Sequence, residues 1–462
     1  MKTNLYIPIE ISKRELDSRI LLSLKSIKYN FEPVITKKTR LFEKLNIIKP
    51  GICFFKSFGP NYDIYLDKIK NNNHLITGID EEALQILDKS WIIGDRFSKK
   101  FLNHLEIIFT WGNSSKDIYK KFFKIKKKNI QVISSGHPKM ELSKKYFYQY
   151  YFLKSKKLKT EFKDFILIAT LFPRYNRAGV HLKNQESFFN NRKRNMKTIY
   201  EKMDVKKNTH QRNNFFRYDK LYPYLNKNFK NVNFLIKPHP GENLDYYDNL
   251  AKKNYKNIKI LKTNENIVPY ILSAQACISC NCTTSVETFL LGRNCINFVP
   301  WKNEKSEFPL PKLLSINVRK LDKLGKILKS KQHLKKNKIS KKNINLAKNI
   351  LHNFTGEDAC EKILKHLSLM KRKIKFVNQK NNSHDYFNNI YFYLKSKIIM
   401  YYSIIFKNNT IKYQVQKNKR LNLNKNEIQK RVDRISKSLF SNKKKFRVEE
   451  KHYGLFYISE KK

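Results

Sequence analysis

The sequence predicts an α/β protein of two doubly wound, Rossmann-like units followed by a basic extension. Two patterns predict it. Short apolar runs that end in polar turns alternate with stretches of helical spacing, which is how βαβ units and parallel sheets read. The series also occurs twice, with a Lys- and Tyr-rich, helix-like stretch from Met140 to Lys163 in between. At 462 residues the chain has room for two or three domains, each with its own core. We expect an N-terminal unit over 1–140, a linker helix over 141–163, a second unit over 164–370 and an extension over 371–462.

Taken in order, Leu5 to Ile9 reads as a strand and Glu15 to Lys28 as a helix, with Leu16, Ile20, Leu21, Leu24 and Ile27 at helical spacing. Gly51 to Phe55 is a second strand. His74 to Ile79 is another, ending at Asp80-Glu81-Glu82. Three carboxylates at a strand-to-helix junction suit two roles. Asp80 is a good N-cap and acids favour a helix start; crowded carboxylates also raise one another's proton affinity, as a general base near neutrality needs. Glu106 to Trp111 and Ile130 to Ile133 follow as strands. His137-Pro138 then falls where the first unit ends, and His137 reads as a linker residue.

The second series opens with Phe165 to Ala169 and runs on to Arg174, which at a strand end can grip phosphate or carboxylate by two hydrogen bonds. Residues 178–214 are polar and basic, and we expect a disordered excursion there. The run Val232 to Lys237 is stopped by Pro238-His239-Pro240, since proline cannot donate to a sheet ladder. Ala276 to Cys282 is a further strand, entering a helix at Thr283-Thr284-Ser285 that Gly292 closes. Ligands collect at the carboxyl ends of such strands, and a hydroxyl-rich helix start offers donors to an anion. Thr284 with Glu287 also reads as a capping box, with or without a ligand.

The formal charge is +58, from 96 Lys and Arg against 38 Asp and Glu, and it would attract any polyanion. No zinc finger, RNP aromatic pattern or basic recognition helix accompanies it. The 6 cysteines are too scattered for a disulfide scaffold and suggest reduced thiols in the cytoplasm. Charged residues interrupt the N-terminus before an apolar signal core can form, and no run is long enough to span a bilayer. Residues 371–462 carry 24 Lys and Arg against 6 Asp and Glu, and Ile398 to Phe406 among them reads either as an ordinary helix packed on the body or as a contact with an anionic membrane surface.

Four stretches together resemble the surface carbohydrate biosynthesis protein family: Lys237-Pro238-His239-Pro240, Asn281 to Glu287, Tyr6 to Glu10 with Arg14 to Arg19, and Asp80-Glu81-Glu82-Ala83. That family is similar to GT-B transferases with a His-Pro motif, such as bacterial sialyltransferases, capsule Kdo transferases and CDP-glycerol glycerophosphotransferases. Ala83 departs from it, standing where the acidic motif has glycine. The resemblance implies a GT-B-like fold with a cleft between two Rossmann-like domains. It implies an inverting, metal-independent glycosyltransferase of surface polysaccharide synthesis (capsule, lipopolysaccharide or related glycan), needing no cofactor and using a nucleotide-activated sugar, CMP-linked by first choice.

On that reading Glu81 or Glu82 is the base, with Asp80 in reserve, and His239 meets the leaving phosphate. Lys237, Pro238, Pro240, Asn281, Thr283, Thr284, Ser285, Glu287 and Arg174 hold the donor, while Arg14 and Arg19 touch the acceptor glycan or glycolipid. Other readings are a nucleotide-sugar 2-epimerase of the same fold and a non-catalytic polyanion- or membrane-binding protein. The expected location is the cytoplasm, peripheral on the inner membrane face, with no specific nucleic-acid partner.

Overall fold

The computed structural model describes residues 2–10, 12–81, 83, 96–194, 199–262, 265–330, 339–352, 356–375, 391, 394, 398, 423–441 and 444–461. The chain divides into two units, one of residues 1–142, 348–407 and 420–462, the other of 143–347 and 408–419.

The first unit is built on β1 (Thr3–Ile9), β2 (Phe31–Lys37), β3 (Gly51–Phe55), β4 (Leu75–Ile79), β5 (Leu105–Thr110) and β6 (Gln131–Ser134). They pair in parallel in the order β2-β1-β3-β4-β5-β6, so the direction of winding reverses between β1 and β3. Such a reversal opens a crevice at the strands' carboxyl ends. The helix Ser12–Ser26 makes the first crossover and buries Leu16, Ile20, Leu21 and Leu24. Gly78 lets β4 close on β3, because a Cβ there would stand 2.0 Å from the Phe55 carbonyl oxygen.

In the second unit β7 (Phe165–Ala169), β8 (Asn233–Lys237), β9 (Ile258–Ile260), β10 (Ala276–Ser279), β11 (Asn294–Phe298) and β12 (Ile316–Val318) form a parallel sheet ordered β12-β11-β10-β7-β8-β9. This is the Rossmann order, with its switch point between β7 and β10. Two Rossmann-like, doubly wound units in one chain are the components of a GT-B-like fold, as the sequence predicted. The excursion expected over 178–214 is helical instead: Gln185–Arg194, then the long helix Ile199–Asn228. Tyr218, Leu221, Tyr222 and Leu225 seat that helix in the core. Its buried Asn214 exchanges hydrogen bonds with the Trp301 backbone, so its polarity serves packing.

The described end of the chain belongs to the first unit. The helix Lys425–Phe440 buries Ile428, Val432 and Ile435 and packs on Ser12–Ser26, where Arg431 holds Asp17 at 2.6 Å. A hairpin of β13 (Phe446–His452) and β14 (Leu455–Glu460) then adds antiparallel to β2. Residues 371–462 are thus no simple appendage, and 399–406 of the expected membrane segment lie outside the described residues. Among the described residues no helix is long and apolar enough to cross a membrane.

Candidate active site

In the first unit the segments after β1 to β6 bring charged and aromatic groups to the carboxyl edge of the sheet. Asp80, the first residue after β4, is buried and committed to the protein. Arg96 grips both its carboxylate oxygens at 2.7 and 2.8 Å, and the Tyr119 hydroxyl donates at 3.1 Å. Trp111 Nε1 donates to the Asp80 carbonyl at 2.7 Å. These contacts give Asp80 a structural part in place of the base held in reserve for it. The turn beyond is pinned by the Glu81 amide on the Lys56 carbonyl, 3.0 Å, and by the Ala83 amide on the Asp80 carbonyl, 3.2 Å. Glu82 lies outside the described residues.

Glu81 is held by one oxygen. Arg19 Nη2 donates to Oε1 at 2.6 Å, and His137 Nε2 stands 3.2 Å from the same atom. Oε2 has no partner among the described residues, and the side chain keeps 17% exposure. Burial alone would raise this carboxyl, but His137 and the Arg19 guanidinium hold it well below the usual carboxylate range, so Glu81 is ionised. Arg19 was expected to touch an acceptor. It is buried over the Phe54 ring, 5.2 Å from its centroid, and serves Glu81. Its Nε and Nη1 find no hydrogen-bond partner among the described residues. Arg14 falls in the same helix, with its side chain outside the described residues.

His137 is no linker. It is fully buried, stacked on Trp111 at 4.1 Å, and its Nδ1 accepts the Lys139 amide at 3.0 Å. That bond puts the proton of the neutral ring on Nε2, toward Glu81. Burial lowers its pKa against the pull of Glu81, which keeps the ring neutral near pH 7. The sign of it in the sequence was the second His-Pro pair, at the end of another strand. Beside this group Lys56 pairs with Glu15 at 2.7 Å and Glu10 at 2.9 Å, and Lys38 with Glu10 at 2.7 Å. Burial would raise Glu10, but Lys56 and Lys38 bring it down to about 2.

In the second unit β8 ends in Lys237 and the Pro238-His239-Pro240 turn. The His239 amide donates to Glu242 Oε1 at 3.2 Å and Thr170 Oγ1 at 3.3 Å, and its Nδ1 accepts the Gly241 amide at 3.1 Å. The neutral ring therefore carries its proton on Nε2, and His239 is half-buried. Sequence reasoning missed Glu242, which sets this loop. Its buried carboxyl also takes hydrogen bonds from Thr170 Oγ1 at 2.8 Å, the Phe172 amide at 3.0 Å and the Tyr247 hydroxyl, joining the loops after β7 and β8. Burial raises its pKa, against those hydrogen bonds. Lys237 is buried, with Nζ 5.3 Å from the Tyr270 ring centroid. Pro238 is buried, Pro240 exposed, and half-buried Arg174 donates its amide to Gln211 at 2.9 Å.

The helix start after β10 differs from expectation. Ser285 faces inward, its hydroxyl 2.7 Å from that of Ser279. The amides of Ser285, Val286 and Glu287 bond back to Cys282 and Thr283 carbonyls, and that of Thr284 meets Cys282 Sγ at 3.5 Å. The open amides of an anion cradle are thus largely taken. Thr283 is the N-cap, without a side-chain cap bond, so no capping box of Thr284 and Glu287 forms. Thr284 and Glu287 are buried and Thr283 is half-exposed. Asn281 turns the chain at φ +49°, its amide on Asn297 Oδ1 and its side chain accepting the Phe308 amide. Gly292 closes the helix at φ +69°, as predicted.

No family model and no curated protein matches the chain. Among solved structures it is similar to the wall teichoic acid polymerase TagF, at 12% identity and TM-score 0.48, over 81% of this chain and 90% of that one. The UDP-GlcNAc 2-epimerase from Neisseria meningitidis gives 12% and 0.48, over 80% and 100%. MurG of Acinetobacter baumannii gives 9% and 0.38, over 80% and 100%. At scores this low we draw no function from these likenesses.

Proposed function

We propose that the chain is an inverting, metal-independent glycosyltransferase of surface polysaccharide synthesis, with a nucleotide-activated sugar as donor, CMP-linked by first choice. The observation that carries this reading is the Glu81 carboxylate, fixed through Oε1 and, among the described residues, without a partner at Oε2. As the acceptor oxygen bonds to the anomeric carbon its proton becomes acidic, so even a weak, ionised base can take it. The bond from that carbon to the donor phosphate breaks, leaving the electron pair on phosphate oxygen. His239 Nε2–H and Lys237 offset the charge that grows there, a preorganised electrostatic role. Thr283 supplies a hydroxyl, with Arg174, Asn281, Thr284 and Glu287 around the nucleotide. This reading puts the protein in the cytoplasm, at the inner membrane face.

Calorimetry against CMP, CDP, UDP and GDP tests the donor class. The Glu81→Gln variant should bind the nucleotide yet transfer no sugar, and His239→Ala should lose turnover. Intact donor turnover without His239 refutes the phosphate contact. Release of epimerised sugar without an acceptor identifies the 2-epimerase instead.

A further inference from the structure

A surface of the second unit, apart from both strand-end clusters, carries a distinct chemistry. The helix Tyr148–Phe162 packs against Val268–Ser273 through buried Tyr151 and Leu158 and through hydrogen bonds joining Ser155 with Pro269 and Ser273. Away from that contact it presents Phe152, 59% exposed, and Leu153, 80% exposed, and the turn leading into it holds Tyr146 at 40%. A soluble helix would place polar residues at these adjoining positions. Ile64 and Ile125 are each the one exposed large apolar side chain of their helices among the described residues, which asks for no explanation, and the exposed Tyr391, Leu394 and Ile398 belong to the separate stretch 371–462.

Lys145, Lys156, Lys157 and Lys159 are exposed along the same helix and its approach, against Glu161 as the acid. Lys154 is turned aside to Glu265, 3.1 Å away. Aromatic and aliphatic side chains flanked by flexible cations match a headgroup layer, where apolar groups enter and lysines reach phosphate. A second copy of the chain would bring the same lysines against their like.

We propose that this face of the helix Tyr148–Phe162 docks on an anionic lipid surface. The attachment is separate from the one expected of residues 371–462, and it does not depend on which sugar is transferred.

The test is co-sedimentation of the full-length protein with phosphatidylcholine vesicles, with and without phosphatidylglycerol. Wild type should partition onto the anionic vesicles. The Phe152→Ser/Leu153→Ser double variant should partition about tenfold less. Lys156→Glu/Lys157→Glu should lose the preference for anionic lipid, and all should melt alike because the four side chains are exposed. Wild type that stays in solution overturns the proposal. So does undiminished binding of the Phe152→Ser/Leu153→Ser protein, which would leave bulk charge as the cause. A drop in mass of that variant by light scattering would make the face a contact between copies, and would also overturn it.

Discussion

His137 Nε2 stands 3.2 Å from Glu81 Oε1 in a setting where the ring is neutral and the carboxylate ionised. With Arg19 donating to the same oxygen, these two neighbours set the pKa of the proposed base. Replacing either by an apolar group, Arg19→Met or His137→Phe, should let the Glu81 pKa rise. The acidic limb of the pH–rate profile should then move up by about one unit or more. A profile that keeps its limb while kcat falls would assign these residues to structure alone.

Glu242 provides a second, independent handle. In Glu242→Ala the Phe172 and His239 amides lose their shared acceptor, at a cost of about 2 kcal/mol in denaturant titration. Transfer should fall with it as the His239 turn loosens. Glu242→Gln keeps an acceptor oxygen and should retain most stability and turnover.

Acid should loosen the first unit in a defined window. The Glu10 pKa of about 2 lies below its ordinary value of 4.5, so its pairing with Lys56 and Lys38 stabilises the fold fully above pH 4.5. That contribution is lost as pH falls toward 2. A Glu10→Gln protein should be less stable at neutral pH and show a shallower loss over this range, as followed by circular dichroism.

Lys25 clasps the chain's later helices to the first unit. It bonds Glu141 and Asp358, the latter at 2.7 Å, beside the Cys360 amide on Glu141 Oε2 at 3.0 Å. Burial would lower the lysine pKa, but Glu141 and its neighbours raise it, so the charge persists. Lys25→Met should cost about 3 kcal/mol by stranding Glu141 in the interior. Pairing it with Glu141→Gln should recover part of the loss.

Sequence alone revealed the strands that are apolar throughout. Phe165 to Ala169 and Gly51 to Phe55 are buried on both faces, as is Phe234 to Ile236 within β8, so their composition betrays them. β2 escaped notice because Pro33 interrupts it. The residue is tolerated because it pairs with Leu5 while the β14 ladder stops at Val34. β13 and β14 are half exposed and mixed in polarity, and nothing local says which edge they join. At the sites, Glu81 and His239 were legible as polar residues at strand ends. Glu242 was not, and His137 was noticed only as a linker residue, since their roles come from partners on other strands' loops, Thr170 and Trp111.

The hairpin on β2 bears on how the protein is made. A ribosome delivers β1 to β6 early, yet the strand that covers β2 and the helix that covers Ser12–Ser26 emerge only after the whole second unit. During that interval the nascent first unit shows an open edge and a bare apolar helix face, the features that invite chaperones and aggregation. The half begun first is therefore finished last, and cutting the message short before Phe446 would leave that edge unsealed for good.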